Sequence, residues 1–301
     1  MRTRTRLNPI PALALALCLA APAAAKTVPL SPYVDMAGYP PPALAKSSRA
    51  SGVKRITLGF ITARSGSDCV PTWGGYPEYG IAYRKADVAA FQRQGGVATV
   101  SFGGQAGTEL ATACDSVAAL ATAYQDVVDA YRVHRVDFDI EGAAVQDTAA
   151  TARRRAAVAK LHGVTVSYTL PVLPSGLDAA GRALAKGADL VNIMAMDYGD
   201  QFKGDMGAYA IAAARATKRQ LKLPYRRLSV TPMLGINDVS SEIFSLADAR
   251  QLRRWAHSHG LGGLGMWQLG RDAPCKTPSK TTQLDCSGVD QAPWAFSRAL
   301  R

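Results

Sequence analysis

The feature that most constrains this chain is an alternation: eight short β-like runs, with stretches of helical spacing between them. The runs begin at Tyr33 ("YVDMAGY"), Arg55 ("RITLGFI"), Val97 ("VATVSFGG"), Arg135 ("RVDFDIEG"), Val164 ("VTVSYTLPV"), Asp189 ("DLVNIMAMDYG"), Arg227 ("RLSVTPMLG") and Gly263 ("GLGMWQLG"). Segments such as "KADVAAFQRQ", "SVAALATAYQDVVDAYRV", "GLDAAGRALAKG" and "LADARQLRRWAHSHG" space their apolar residues three and four apart, as an amphipathic helix does. A weaker first helix is expected near Pro42–Ser51 and a last one in "PWAFSRAL". Strands separated by helices pair in parallel through right-handed crossovers. Eight such units predict an α/β fold of the (β/α)8 TIM-barrel type. A doubly wound open sheet would carry a Gly-rich phosphate turn after an early strand, and "SFGGQAG" lacks the G-x-G-x-x-G spacing.

The first 25 residues stand apart from this pattern. Arg2, Arg4 and Arg6 precede an apolar stretch from Ile10 to Ala21, and Ala23 and Ala25 supply an A-x-A cleavage pattern. Residues 1–25 are therefore expected to be a secretory signal peptide, leaving 26–301 as one catalytic domain that is secreted or periplasmic. The apolar stretch is shorter than the roughly 20 residues a spanning helix needs, so no membrane anchor is expected. Loss of three arginines and no acids would lower the formal charge from +12 to +9. That charge is scattered and no nucleic-acid recognition module accompanies it, so a nucleic-acid partner is not expected. Four cysteines remain, an even number suited to an oxidising compartment, with three possible connectivities. Cys275 and Cys286 sit close together in a Pro/Ser/Thr-rich loop and are natural partners, which leaves Cys69 with Cys114.

Within "RVDFDIEG" three acids occupy alternate positions. A strand sends Asp137, Asp139 and Glu141 to one face and Phe138 and Ile140 to the other. In a barrel the acids then line the lumen, ascending toward the C-terminal end, where the reacting groups of such folds lie. Three like charges in an interior must share protons, bind a cation or face a polar ligand. A solvated surface strand, a divalent-metal site and purely structural hydrogen bonding are the alternatives. One strand makes a poor coordination sphere and no His-rich or EF-hand spacing is nearby, so no metal and no cofactor are expected. Proton chemistry on a sugar accounts best for stacked carboxylates of unequal proton affinity.

"SFGG" ending the third strand, "VDFDIEG" ending the fourth, "MAMDY" ending the sixth and a Trp ending the eighth together resemble glycoside hydrolase family 18, the chitinases and their relatives. "CVPTWGG", "SYTLPVLPSGL", "VTPMLGIND" and "MWQLGRD" extend the resemblance, to small secreted bacterial chitinases, over nearly the whole chain after residue 25. The resemblance implies retaining hydrolysis of β-1,4-linked N-acetylglucosamine polymers through an oxazolinium intermediate, with no enzymic nucleophile. By the same resemblance Glu141 is the acid, Asp139 orients the substrate's acetamido group, and Asp137 shares a proton with Asp139. It also makes Trp267 the floor beneath the sugar, with Asp197 and Tyr198 contacting the acetamido group. Tyr168, Met194, Met196 and Met233 are expected to line the pocket, with Gly103 and Gly104 leaving room for ligand or for neighbouring backbone.

Two positions depart from the family. It has a further Asp three residues before Asp137, where this chain has His134, and a Tyr-Asp pair where this chain has Met196-Asp197. The first is expected to alter proton distribution in the deepest part of the site, the second the acetamido contacts. His162, His257 and His259 read as surface residues without a role. Two further readings share the fold: a lectin that has lost hydrolysis, which would normally lack the acid retained here as Glu141, and an endo-β-N-acetylglucosaminidase or muramidase-like hydrolase. A monomer is expected.

Overall fold

The computed structural model describes Met1 and residues 27–66 and 68–301; apart from Met1, the expected leader lies outside the described residues. Eight parallel strands form the barrel: β1 (Tyr33–Asp35), β2 (Arg55–Arg64), β3 (Val97–Gly103), β4 (Arg135–Asp139), β5 (Thr165–Pro171), β6 (Leu190–Ala195), β7 (Leu228–Pro232) and β8 (Gly263–Leu264). Each pairs with the next in sequence. The ring closes where β8 meets the chain entering β1: Ser31 donates its N–H to the Leu264 carbonyl at 2.8 Å and Tyr33 to that of Met266 at 3.0 Å. The expected (β/α)8 barrel is the observed fold.

The helices are α1 (Leu44–Ser51), α2 (Lys85–Arg93), α3 (Leu110–Ala113), α4 (Val117–Tyr131), α5 (Thr148–Val158), α6 (Ala179–Leu184), α7 (Met206–Leu221), α8 (Leu246–His259) and α9 (Ala295–Leu300). Local chemistry sets their ends. Ser245 and Asp248 form a reciprocal capping box at the start of α8, which ends at Gly260 in the left-handed conformation, φ +63°. Asp147 caps α5 by accepting from the Ala150 N–H. α6 is shorter than its sequence pattern because the chain first makes a turn between Leu173 and Gly176, and Asp178 then caps the helix.

Outside the barrel interior, the even-numbered side chains of β4 hold the sheet to the helices. Phe138 stacks on Phe102 at 5.3 Å and meets Tyr124 of α4 edge-on at 5.0 Å, with all three fully buried. Full burial of such a side chain contributes roughly 1.5–3 kcal/mol. This packing fixes the rotation of β4 and so turns the odd-numbered positions, Asp137 and Asp139, into the barrel.

Two additions were not legible in the strand–helix pattern. An arm, Asp68–Trp73, runs antiparallel to β2 and is tied to the end of α3 by a Cys69–Cys114 disulfide with Cα atoms 4.6 Å apart. A small antiparallel pair, Gly235–Ile236 with Ile243–Phe244, follows β7. The second disulfide, Cys275–Cys286, staples the loop after β8. Both pairings agree with the spacing argument.

Candidate active site

The carboxylates of β4 occupy different environments because their strand neighbours differ. Asp137 lies in register with Ser101 on β3 and Ser167 on β5, whereas Asp139 lies beside Gly103 and Thr169. Asp137 consequently accepts from Ser101 Oγ at 2.7 Å, Ser167 Oγ at 2.5 Å, Thr169 Oγ1 at 2.9 Å and the Tyr33 hydroxyl at 3.0 Å. Asp139 is just as buried, but its Oδ1 has no protein partner. Glu141, two residues past the end of β4 and still in extended conformation, is only partly covered.

Burial pushes all three carboxyls above their ordinary range, by different routes. For Asp137 the hydroxyl donors oppose the burial effect. Asp139 has no such relief, and repulsion from Glu141 and then Asp137 adds to its desolvation, so it stands well above the usual range. Glu141 is pushed up to about 7 by burial and by the negative charges of Asp197 and Asp238. Repelled by the carboxyls on either side, Asp139 is the most reluctant of the three to ionise.

Asp139 and Glu141 open onto a cleft of ≈ 680 Å³ at the C-terminal end of the barrel, within the size range of small-ligand sites. Met194, Met196, Asp197, Met233 and Trp267 line it. Trp267 stacks on Phe60 with ring centroids 5.5 Å apart and meets Tyr33 at 5.9 Å, forming an apolar floor. Asp197 faces the cleft although it follows an inward Met196, because its backbone turns into the left-handed region, φ +50°. It accepts a hydrogen bond from the Val239 N–H at 2.8 Å. Among the described residues, no group of three or more His, Cys, Asp or Glu side chains is placed to hold a metal ion.

Three expectations are corrected, those for Tyr198, Tyr168 and Gly103. The turn at Asp197 that brings its carboxylate inward sends Tyr198 outward, where it packs on Phe202 at 5.7 Å and Tyr209 at 6.4 Å, away from the cleft. Tyr168 alternates with the inward Ser167 and Thr169 and packs against Phe138 at 5.4 Å on the helix side. Gly103 does not border the cleft; it lets β3 and β4 approach, and a Cβ there would collide with the Asp139 carbonyl. His134 is exposed ahead of β4 and takes no part in the carboxylate stack; the hydroxyl set around Asp137 furnishes the support beneath it.

Sequence reading missed Tyr33, Phe60, Asp238 and the hydroxyls of Ser101, Ser167 and Thr169. The hydroxyls carried a signal, as lumen-facing Ser and Thr on the strands flanking β4. Arg271 is buried nearby, donating to the carbonyls of Leu234 at 2.7 Å and Ile236 at 2.6 Å. Desolvation pulls its guanidinium down to about 10 against the attraction of Asp238 and Asp197.

No family model matches the chain. It is 35% identical over 302 residues to a probable bifunctional chitinase/lysozyme of Escherichia coli (strain K12), covering 89% of this chain and 33% of that protein. It is 33% identical over 276 residues to endochitinase 11 of Metarhizium anisopliae, covering 81% and 52% respectively. The chain thus spans about a third and about half the length of these two relatives. Among solved structures, the catalytic domain of a hyperthermophilic chitinase from Pyrococcus furiosus superposes with a TM-score of 0.80 at 30% identity, covering 90% of this chain and 93% of that one. Catalytic-site mutants of active domain 2 of a Pyrococcus furiosus chitinase, complexed with chito-oligosaccharides, give 0.79 at 30% identity over 90% and 92% of the two chains. With the barrel, the carboxylate stack and the tryptophan floor in place, these matches show that the chain belongs to the chitinase family, glycoside hydrolase family 18.

Proposed function

We propose that this protein is an exported glycosidase that cleaves β-1,4-linked N-acetylglucosamine polymers, chitin and chitooligosaccharides, with retention of configuration and with the substrate's own acetamido group as nucleophile. The observation that carries this reading is the convergence of Glu141, Asp139 and Asp197 on one cleft above the indole of Trp267. A carboxyl held near 7 is protonated in an appreciable fraction at neutral pH and ionises readily, which suits a group that gives up a proton and takes it back.

In the first step Glu141 donates its proton to the glycosidic oxygen as the bond from that oxygen to the anomeric carbon breaks. The acetamido carbonyl oxygen bonds to the anomeric carbon, and the positive charge passes into an oxazolinium ring. The unpartnered Oδ1 of Asp139 is the acceptor for the acetamido N–H, and Asp137, held by its four hydroxyl donors, lies beneath it. Water then adds to the anomeric carbon, returns a proton to Glu141 and opens the ring, with two inversions giving net retention. Trp267 and Phe60 supply the apolar face against which a pyranose ring packs.

Export is supported by the basic–apolar–A-x-A leader and by two disulfides, which suit an oxidising compartment. Among the described residues no helix is long and apolar enough to cross a membrane. A monomer is expected. The test is a panel: purified residues 26–301 against chitin, peptidoglycan and N-glycan, scored by release of reducing ends. Peptidoglycan is included because the Escherichia coli relative's name pairs chitinase with lysozyme. Cleavage of chitin, blocked by a thiazoline mimic of the oxazolinium, is expected. Binding to chitin with no release of reducing ends would make the protein a lectin, and full activity at saturating mimic would exclude acetamido participation.

A further inference from the structure

The barrel has a second opening, at the N-terminal ends of its strands, and its chemistry differs from that of the catalytic cleft. Barrel interiors are ordinarily filled by bulky branched side chains. Here the lumen-facing positions near the strand starts carry small hydroxyl residues, among them Thr57, Thr99 and Ser229, and a cavity of ≈ 380 Å³ remains between them. Two cations, Arg55 at the start of β2 and Arg135 at the start of β4, border it, and Arg226 stands on the same rim.

Neither Arg55 nor Arg135 has an ion-pair or side-chain hydrogen-bond partner among the described residues. The ion pairs found there join Arg64 to Asp68, Arg84 to Asp87 and Arg154 to Glu109. The two guanidinium groups nevertheless sense each other: burial and then repulsion from Arg135 hold Arg55 below its ordinary proton affinity. Two acids also border the cavity, and neither pairs with Arg55 or Arg135. Asp137, at the inner end, is saturated by its hydroxyl donors, and Asp189 accepts from the Val166 N–H at 2.9 Å. Two cations without a side-chain partner, on the same rim of a hydroxyl-lined recess, form an anion receptor, since a guanidinium pairs bidentately with a planar or tetrahedral oxyanion and hydroxyls complete the shell.

We propose that the N-terminal mouth of the barrel binds a small oxyanion of phosphate or sulfate size between Arg55 and Arg135. The recess ends at Asp137 inside the barrel, so it admits a free small anion and not a continuing polymer. This site lies at the opposite end of the barrel from the cleft and does not depend on the hydrolytic reading.

The experiment is calorimetric titration of residues 26–301 with inorganic phosphate at constant ionic strength, balanced with chloride. One saturable site is expected in the wild type, weakened about ten-fold or more in Arg55→Gln/Arg135→Gln, the loss corresponding to about 1.4 kcal/mol. Arg250→Gln/Arg254→Gln removes the same charge from the exposed surface of α8 and is expected to leave binding unchanged. If the double variant does not fold, Arg135→Gln alone, at an exposed position, is expected to weaken binding in the same direction. Absence of a saturable site in the wild type would overturn the proposal. So would equal weakening by the α8 pair, which would mark a bulk-charge effect, or unaltered binding in the folded Arg55 and Arg135 variants.

Discussion

Asp137 and Asp139 are two residues apart on one strand and equally buried, yet Asp137 accepts hydrogen bonds from four side chains while Asp139 Oδ1 accepts none. Their asparagine variants are therefore expected to fail in different ways. Asp137→Asn turns an amide donor toward hydroxyls that now donate, leaving buried groups mismatched at a cost of about 1–3 kcal/mol. Asp139→Asn relieves a desolvated carboxyl that repels its neighbours, so thermal stability is expected to hold or rise while turnover falls most steeply. Thermal melts and kcat for the pair check this. A larger melting loss for Asp139→Asn than for Asp137→Asn would contradict the asymmetry.

Glu141→Gln keeps the shape of the side chain and removes the proton. A fall in kcat of about 10²–10⁴-fold is expected, the usual range for loss of a general acid, with chitooligosaccharide affinity retained. The same variant carries a stability signature. Folding raises Glu141 from its ordinary 4.5 to about 7, so the folded state holds a proton that the unfolded state releases earlier. That contribution is fully present below about 4.5 and is lost as pH rises through about 7. Wild-type stability is therefore expected to fall more steeply between pH 5 and 8 than that of Glu141→Gln, as read by melts across that range.

Asp238, after burial and Asp197, contributes to where that loss of protonation falls. It lines the cleft and, after Asp197, is the neighbouring charge that raises Glu141. Since the acid must be protonated to act, activity declines as pH passes its pKa. Asp238→Asn removes a repelling negative charge, lowers that pKa and is expected to move the alkaline limb of the kcat/KM profile to lower pH. A limb that stays in place would show that Asp238 is too well screened to matter.

The barrel was legible because a period-2 strand and a period-3.6 helix leave different marks, and a helical segment separates each barrel strand from the next despite the arm and the small antiparallel pair. The acids of β4 were legible for the same reason: their alternate spacing alone assigns them a common face. Alternation failed where the strand ended. At Asp197 the positive φ exchanged the faces of Asp197 and Tyr198; aspartate enters the left-handed region more readily than most residues but does not announce it as glycine would. Tyr168 is the opposite case, because its alternation with Ser167 and Thr169 does point it outward, and that parity outweighs the pull of an aromatic toward a sugar site. Asp238 depends on loop geometry, and Phe60 on a register shift within β2 between Leu58 and Ile61; spacing encodes neither.

The two disulfides offer the last contrast. Loop-closure entropy favours Cys69–Cys114, which spans 45 residues, over Cys275–Cys286, which spans 11, but only logarithmically: about 4 against about 3 kcal/mol. Replacement of either pair by alanine is thus expected to lower the melting temperature comparably, by roughly 10 °C for a chain of this size. Their effects on the cleft differ. The Cys275–Cys286 loop rests on the segment that leads to Asp238: Ile236 donates its N–H to the Ser287 carbonyl at 2.8 Å, and Thr282 donates to that of Asn237. Opening this staple frees Asp238 from its place beside Glu141, so Cys275→Ala/Cys286→Ala is expected to shift the alkaline limb in the direction of Asp238→Asn. Cys69→Ala/Cys114→Ala loosens an arm on β2 and is expected to leave the limb where it is. The pH profiles of the two variants, measured well below their melting temperatures, separate a staple that holds the site from one that only holds the fold.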